Sequence, residues 1–151
     1  MNEAAAAYWN SFWKEESEPG FVSAWSFGAS PDELAELVIE GIKIATCSGL
    51  VFYEIEQERL PQAGDYSIVL NSLAEPVAII QTTGVQIVPM NEVPVEFAEA
   101  EGEGDGSYEY WYKEHKKFFT KALQELGREF REEMPLVCER FTLLDIKEFK
   151  R

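Results

Sequence analysis

Apolar positions change their period along the chain, and each change marks an element. Over residues 4–16, Tyr8, Trp9, Phe12 and Trp13 recur at i, i+1, i+4 and i+5, which predicts a helix with one aromatic side. Four such rings need cover, from the rest of the domain or from a second subunit. Pro19-Gly20 breaks the helix. Residues 21–27 then read as a short extended segment that turns Trp25 and Phe27 to one side. A fully punctuated helix follows. Ser30 suits the N-cap, Pro31 the first helical position, and Glu33 completes a capping box. Leu34, Leu37 and Val38 form its buried stripe, and Gly41 fits the residue after the C-cap.

Residues 44–53 carry β-forming side chains and predict a strand. A polar connection over 57–64 leads to a strand at 66–70, a turn over 71–75 and a long β-rich run over 77–88. Gly84 inside that run predicts a bulge that bends it, and Pro89 ends it. Asn91 is placed to cap a short helix through 95–98, and 99–106 reads as a glycine-rich acidic loop. Ser107 opens the strongest helix, ending at Gly127, with Trp111, Tyr112, His115, Phe118, Phe119, Ala122, Leu123 and Leu126 on its buried stripe. Residues 136–144 predict a closing strand and 145–151 a frayed, mixed-charge tail. Short strands with few helices between them favour an α+β domain built on a small closed or partly open β-barrel.

The chain has 151 residues and 46% apolar content, enough for one domain, 1–151, with a real core. Its acidic start lacks a signal sequence, no apolar run reaches the ~20 residues that span a bilayer, and its two cysteines lie far apart. A cytoplasmic location without membrane attachment is expected. The net charge of −15 argues against broad electrostatic capture of nucleic acid. The charge is uneven, however: residues 113–151 hold ten basic and eight acidic groups, and the first 112 hold three and twenty. Lys113, Lys116, Lys117 and Lys121 share a helix face, either simply solvated or touching an RNA backbone.

Candidate chemistry is narrow. One histidine excludes a two-histidine ribonuclease, and the cysteines and histidine show no zinc spacing. No phosphate-cradling glycine loop is present. What remains is Lys43, Thr46 and a carboxylate. Burial could lower the Lys43 pKa until it accepts the Thr46 proton, and a glutamate could shuttle that proton onward. Residues three apart point to opposite faces of a regular strand, so joint action requires a loop or bulge over 43–46. One carboxylate of the acidic loop would also have to turn inward.

The pattern Gly41-x-Lys43-x-x-Thr46 follows Phe27-Gly28 and the capped helix. Gly64-Asp65-Tyr66, Pro76-Val77-Ala78-Ile79-Ile80, the run from Glu99 to Asp105, Tyr110-Trp111 and Val137-Cys138-Glu139-Arg140-Phe141 follow in order. This series resembles the ASCH domain family over 21–144, leaving 1–20 as a helical extension and 145–151 as a tail. The resemblance implies a PUA-like β-barrel flanked by helices and a partner that is RNA or a modified nucleoside. The amidohydrolase branch, which deacetylates N-acetylcytidine, implies catalytic roles for Lys43, Thr46 and a glutamate. That glutamate maps to Glu101, or to Glu99 or Glu103 with a two-residue shift. The longer bacterial members imply binding and cleavage of single-stranded RNA, in some cases with a divalent metal. In that reading Lys43 stabilises phosphate charge. Trp25, Phe27, Tyr108 and Trp111 would then stack on bases, with core packing as their alternative role, and Gly41 and Ser48 complete the ligand-binding set. No metal ligands and no cofactor are expected, apart from that divalent ion in the ribonuclease case. A hydrolase, a non-catalytic RNA-binding module and a small-molecule sensor all remain open, and the N-terminal aromatic helix is the candidate oligomer contact. The acidic charge favours small or short ligands over long RNA.

Overall fold

The computed structural model describes residues 1–15 and 17–147. Its spine is an antiparallel pair, β4 (Pro76–Pro89) and β5 (Pro135–Ile146), joined over nearly their whole length. β3 (Tyr66–Leu70) pairs with the first half of β4, and β1 (Val22–Trp25) lies parallel to β3. β2 (Ala45–Gly49) pairs with residues 136–140 of β5, at the other end of the spine. The order is therefore β1-β3-β4-β5-β2.

The predicted barrel does not close. Its two edge strands, β1 and β2, hang from opposite ends of the spine and never meet. The predicted bulge is present, with a register shift between Thr82 and Gly84, and it bends the spine between its two halves. Among the described residues the result is an open five-stranded sheet with five α-helices around it.

Helix α1 (Glu3–Phe12) starts at Asn2, whose Oδ1 accepts the Ala5 N–H at 2.7 Å. It is shorter than the predicted 4–16. Trp13 leaves helical geometry to stack on Trp9, 5.3 Å between ring centres, and meets Tyr66 edge-on. Tyr8 and Trp9 are buried with Ile68 and Ile79, so the chain's own sheet covers the aromatic side. Helix α2 (Pro31–Ile39) packs Ala35 and Val38 against Val69, Ala78, Ile80 and Phe141. Ser30 precedes it without the predicted side-chain cap bond.

Residues 50–53, predicted as strand, form the start of helix α3 (Leu50–Glu56). Gly49 ends β2, and the helix lets Val51 and Phe52 pack on the main core, where Phe52 lies near Phe119. Tertiary packing overrides the β propensity of the run. Asn91 sits within a 3₁₀ turn (Met90–Glu92) and is not a cap; Pro94 precedes α4 (Val95–Glu101) instead. The acidic loop is thus shorter than expected, because Glu99, Ala100 and Glu101 are still helical.

Helix α5 (Tyr108–Glu125) is capped by Ser107, whose Oγ accepts the Tyr110 N–H. Trp111, Phe119 and Leu123 enter the main core with Phe97, Met90 and Leu136, whereas Phe118 and Leu126 face solvent. Asp145 and Ile146, assigned to a frayed tail, belong to β5, and Asp145 accepts the Tyr8 hydroxyl at 2.7 Å. Residues 148–151 of that tail lie outside the described residues. No helix among the described residues is long and apolar enough to cross a membrane.

Candidate functional site

The site begins where α2 ends. Gly41, at φ +77°, closes a Schellman motif: its N–H donates to Val38 O, and the Ile42 N–H donates to Leu37 O. The chain then leaves the helix and runs irregularly through Lys43 and Ile44 before β2 begins at Ala45. No regular strand spans 43–46.

Helix α4 docks its C-terminus on this irregular segment. The Ile44 N–H donates to Ala100 O at 2.8 Å. Gly102 ends the helix at φ +66°, and a Cβ there would lie 2.5 Å from the Ile42 carbonyl oxygen, so the approach requires glycine. This contact delivers Glu101 to Lys43. The Lys43 ammonium donates to Glu101 Oε1 at 3.1 Å, to Glu103 Oε2 at 3.0 Å and, at 3.5 Å, to Glu101 O. Its three protons are committed, and it sits as a cation at a helix C-terminus.

Helix α5 completes the cluster. Trp111 Nε1–H donates to Glu101 Oε2, Cys47 Sγ donates to the same oxygen at 3.4 Å, and His115 Nε2 lies 3.5 Å from it. His115 Nδ1 is 2.7 Å from Trp111 O and must carry a proton to donate there. With Nε2 facing a carboxylate as well, the imidazolium is the favoured form. Lys43 and Glu101 are each only 1% exposed, and Glu103 is the member that reaches solvent, at 22%.

The electrostatics follow from the pairing. Burial opposes ionisation of Glu101, yet Lys43, His115 and Trp111 together hold its carboxyl down at about 2. Burial likewise opposes charge on Lys43, but Glu101 and Glu103 outweigh it and raise its pKa. The expected lowering of Lys43 toward a base is therefore reversed: two carboxylates stabilise the ammonium more than burial destabilises it. Burial pushes the Cys47 thiol well up, with Glu101 adding to it. His115 is raised by Glu101 against the effect of burial.

Of the residues singled out by sequence, the structure brings Lys43 and Glu101 together with Trp111, and places Thr46 elsewhere. Cys47 contacts Glu101, so the alternation of β2 turns Thr46 and Ser48 to the opposite face of the sheet. There Thr46 pairs directly with Glu139, and Ser48 Oγ lies 2.8 Å from the Tyr53 hydroxyl. Phe27 and Trp111 are core residues, 5% and 2% exposed, and neither presents a stacking surface. Phe27 instead lies under Lys43, 5.5 Å from Nζ to ring centre. Trp25 and Tyr108 stay half-buried, Trp25 edge-on to Phe27 and Tyr108 stacked on Trp111. Gly41 serves the helix ending.

Sequence reasoning passed over Cys47 and Glu139 and treated His115 as a structural residue. The signals were present: Trp111 and His115 are four apart on one helix face, and Glu139 interrupts the inward alternation of Val137 and Phe141. Glu139 has its carboxyl pushed up to about 7 by burial, against a weak 3.5 Å bond from the Thr82 hydroxyl.

No match is found among curated proteins. Two solved structures are similar over nearly their whole length. An ASCH domain from Lactobacillus crispatus JV V101 is 35% identical, with 95% of each chain covered and a TM-score of 0.89. A protein from Enterococcus faecalis V583 is 38% identical, with 97% of this chain and 91% of that one covered and a TM-score of 0.84. The ASCH domain profile matches residues 23–145, which contain the whole Lys43–Glu101 cluster and the sheet that carries it. On that match and those two structures, the chain belongs to the ASCH domain family.

Proposed function

We propose that this chain recognises a short RNA-derived ligand, a modified nucleoside or a few unpaired nucleotides, and binds it without cleaving it in the arrangement described above. The family as a whole is associated with RNA binding. One observation carries the non-catalytic part: Lys43 and Glu101, the members of the expected catalytic set that do meet, are committed to one another, and Thr46 lies apart from both. Lys43 is held charged by two carboxylates, Glu101 is held ionised, and Thr46 has neither beside it. A base must be able to accept a proton and an acid to lose one near neutral pH, and neither residue can.

The entry point is Glu103. It is the exposed partner of Lys43 and stands on the loop between α4 and α5, so a ligand phosphate or carbonyl oxygen can take its place on the ammonium. Trp25 and Tyr108 flank the cluster through Phe27 and Trp111 and supply the half-exposed rings for a base. With a chain charge of −15, only a few phosphates can be accommodated, and binding should depend weakly on salt.

A hydrolase reading gains support from the same loop. Once Glu103 is displaced, Lys43 loses one of its two carboxylates and becomes available to a reacting oxygen. One experiment decides between the two. Wild type, Lys43→Met and Thr46→Ala are titrated with N-acetylcytidine and with a short single-stranded RNA, and turnover is followed with and without magnesium or manganese. Binding without turnover, lost at least tenfold in Lys43→Met and kept in Thr46→Ala, is the expected result. Turnover lost in both variants would replace the binding reading with the hydrolase one, and no binding of either ligand would remove both.

A further inference from the structure

We propose that Cys47 Sγ, the Oε2 oxygen of Glu101 and His115 Nε2 form a three-ligand site for zinc(II). These are a thiol, a carboxylate and an imidazole, the three side-chain donors that zinc takes, and their ligand atoms all lie within 4.8 Å of one another. The two spacings to the shared carboxylate oxygen are closer to a coordination shell than that limit. Zinc bonds of ~2.0–2.3 Å at tetrahedral angles set ligand–ligand edges of roughly 3.3–3.5 Å. Here Cys47 Sγ to Glu101 Oε2 is 3.4 Å, and His115 Nε2 to the same oxygen is 3.5 Å.

The surroundings are those of a prepared metal ligand set. His115 Nδ1–H is fixed on the Trp111 carbonyl, which leaves Nε2 as the coordinating nitrogen and orients the ring. Trp111 Nε1 supports the ligating carboxylate by donating to it. Lys43 holds the other oxygen, Oε1, and so does not stand between the three ligand atoms. Among the described residues no fourth histidine, cysteine or carboxylate joins the group, so the remaining position falls to water or to an atom of a ligand.

Charge balances without rearrangement. When zinc enters, the thiol proton of Cys47 and the second proton of His115 leave to solvent, and the ion's two positive charges replace them. Cys138, the cross-strand neighbour of Cys47, stays outside the group and serves as an internal control.

The test uses the full chain without nucleic acid, so its failure is separate from any failure of the RNA reading. Metal-stripped protein is titrated with zinc by calorimetry and, in parallel, with cobalt(II) by absorption spectroscopy. The expected result is one zinc per chain and a thiolate-to-cobalt charge-transfer band. That band should disappear in Cys47→Ala and persist in Cys138→Ala, while His115→Gln should weaken zinc binding roughly tenfold or more. Should Cys47→Ala fail to fold by near-ultraviolet circular dichroism, Cys47→Ser replaces it with a smaller volume change. Absence of stoichiometric binding, or a band that follows Cys138 instead of Cys47, would overturn the site.

Discussion

The two faces of β2 carry polar clusters of opposite character. On the face toward α4 and α5, Cys47 joins Lys43, Glu101, Trp111 and His115 in a closed set whose charges are paired and whose donors are occupied. On the other face, Thr46 and Ser48 join Glu139, Thr82 and Tyr53 in a half-exposed set, with one hydrogen bond of 2.8 Å and one at 3.5 Å. The first keeps a glutamate ionised far below neutrality, and the second pushes another glutamate up to about 7, where it is still partly protonated near neutral pH. One carboxylate ends helix α4 and is fully buried, and the other stands on β5 and is partly buried. The difference lies in whether a cation shares the space: Glu101 has Lys43 at 3.1 Å, and Glu139 has only a hydroxyl.

The largest expected effect comes from removing that cation. Lys43→Met strips buried Glu101 of its closest cation, leaving only His115, Trp111 and Cys47 beside it, and should lower stability by about 3–5 kcal/mol in urea unfolding. Adding Glu101→Leu should recover part of the loss, because no isolated charge then remains. A single-variant effect below ~1 kcal/mol would mean that the two faces do not differ as described.

The Glu139 face responds to pH. Its folded pKa of about 7 stands above the 4.5 of an ordinary glutamate, so its contribution to stability is complete below that lower value. It is lost as pH rises through about 7. Wild type should lose about 1–3 kcal/mol across that window after allowance for the partial exposure of Glu139, and Glu139→Gln should flatten the profile. An unchanged profile in the variant would assign the pH dependence to another group.

The smallest effect should come from Thr46→Ala, on the half-exposed face. Removing one hydroxyl there should change stability by no more than ~1 kcal/mol, as measured by thermal unfolding. A larger loss would show that Thr46 is bound as tightly as the residues behind it, and would bring the two faces closer in kind.

Much of the fold was legible because it rests on local rules. Ser107 capping α5, Gly41 ending α2, the 66–70 strand and the bulge at Gly84 all follow from backbone preferences that neighbouring residues alone impose. The failures share a cause. Residues 50–53 have strand-forming side chains but pack as a helix on Phe119, and Phe118 fits the helical period yet faces solvent. The open sheet is also non-local, since it depends on where β1 and β2 attach along the spine.

At the site the division is sharper. By itself the sequence determined that Lys43 follows a helix stop, that acidic residues follow α4, and that Trp111 and His115 share a helix face. Tertiary structure alone decided that Glu101 and Glu103, and not Glu99, meet Lys43, with Gly102 closely approaching Ile42 between them. It also reversed the expected direction of the Lys43 pKa and exchanged Thr46 for Cys47. The physical reason is that ionisation depends on burial and on charges within a few ångströms, and residues 43, 47, 101 and 115 become neighbours only when β2, α4 and α5 pack around them.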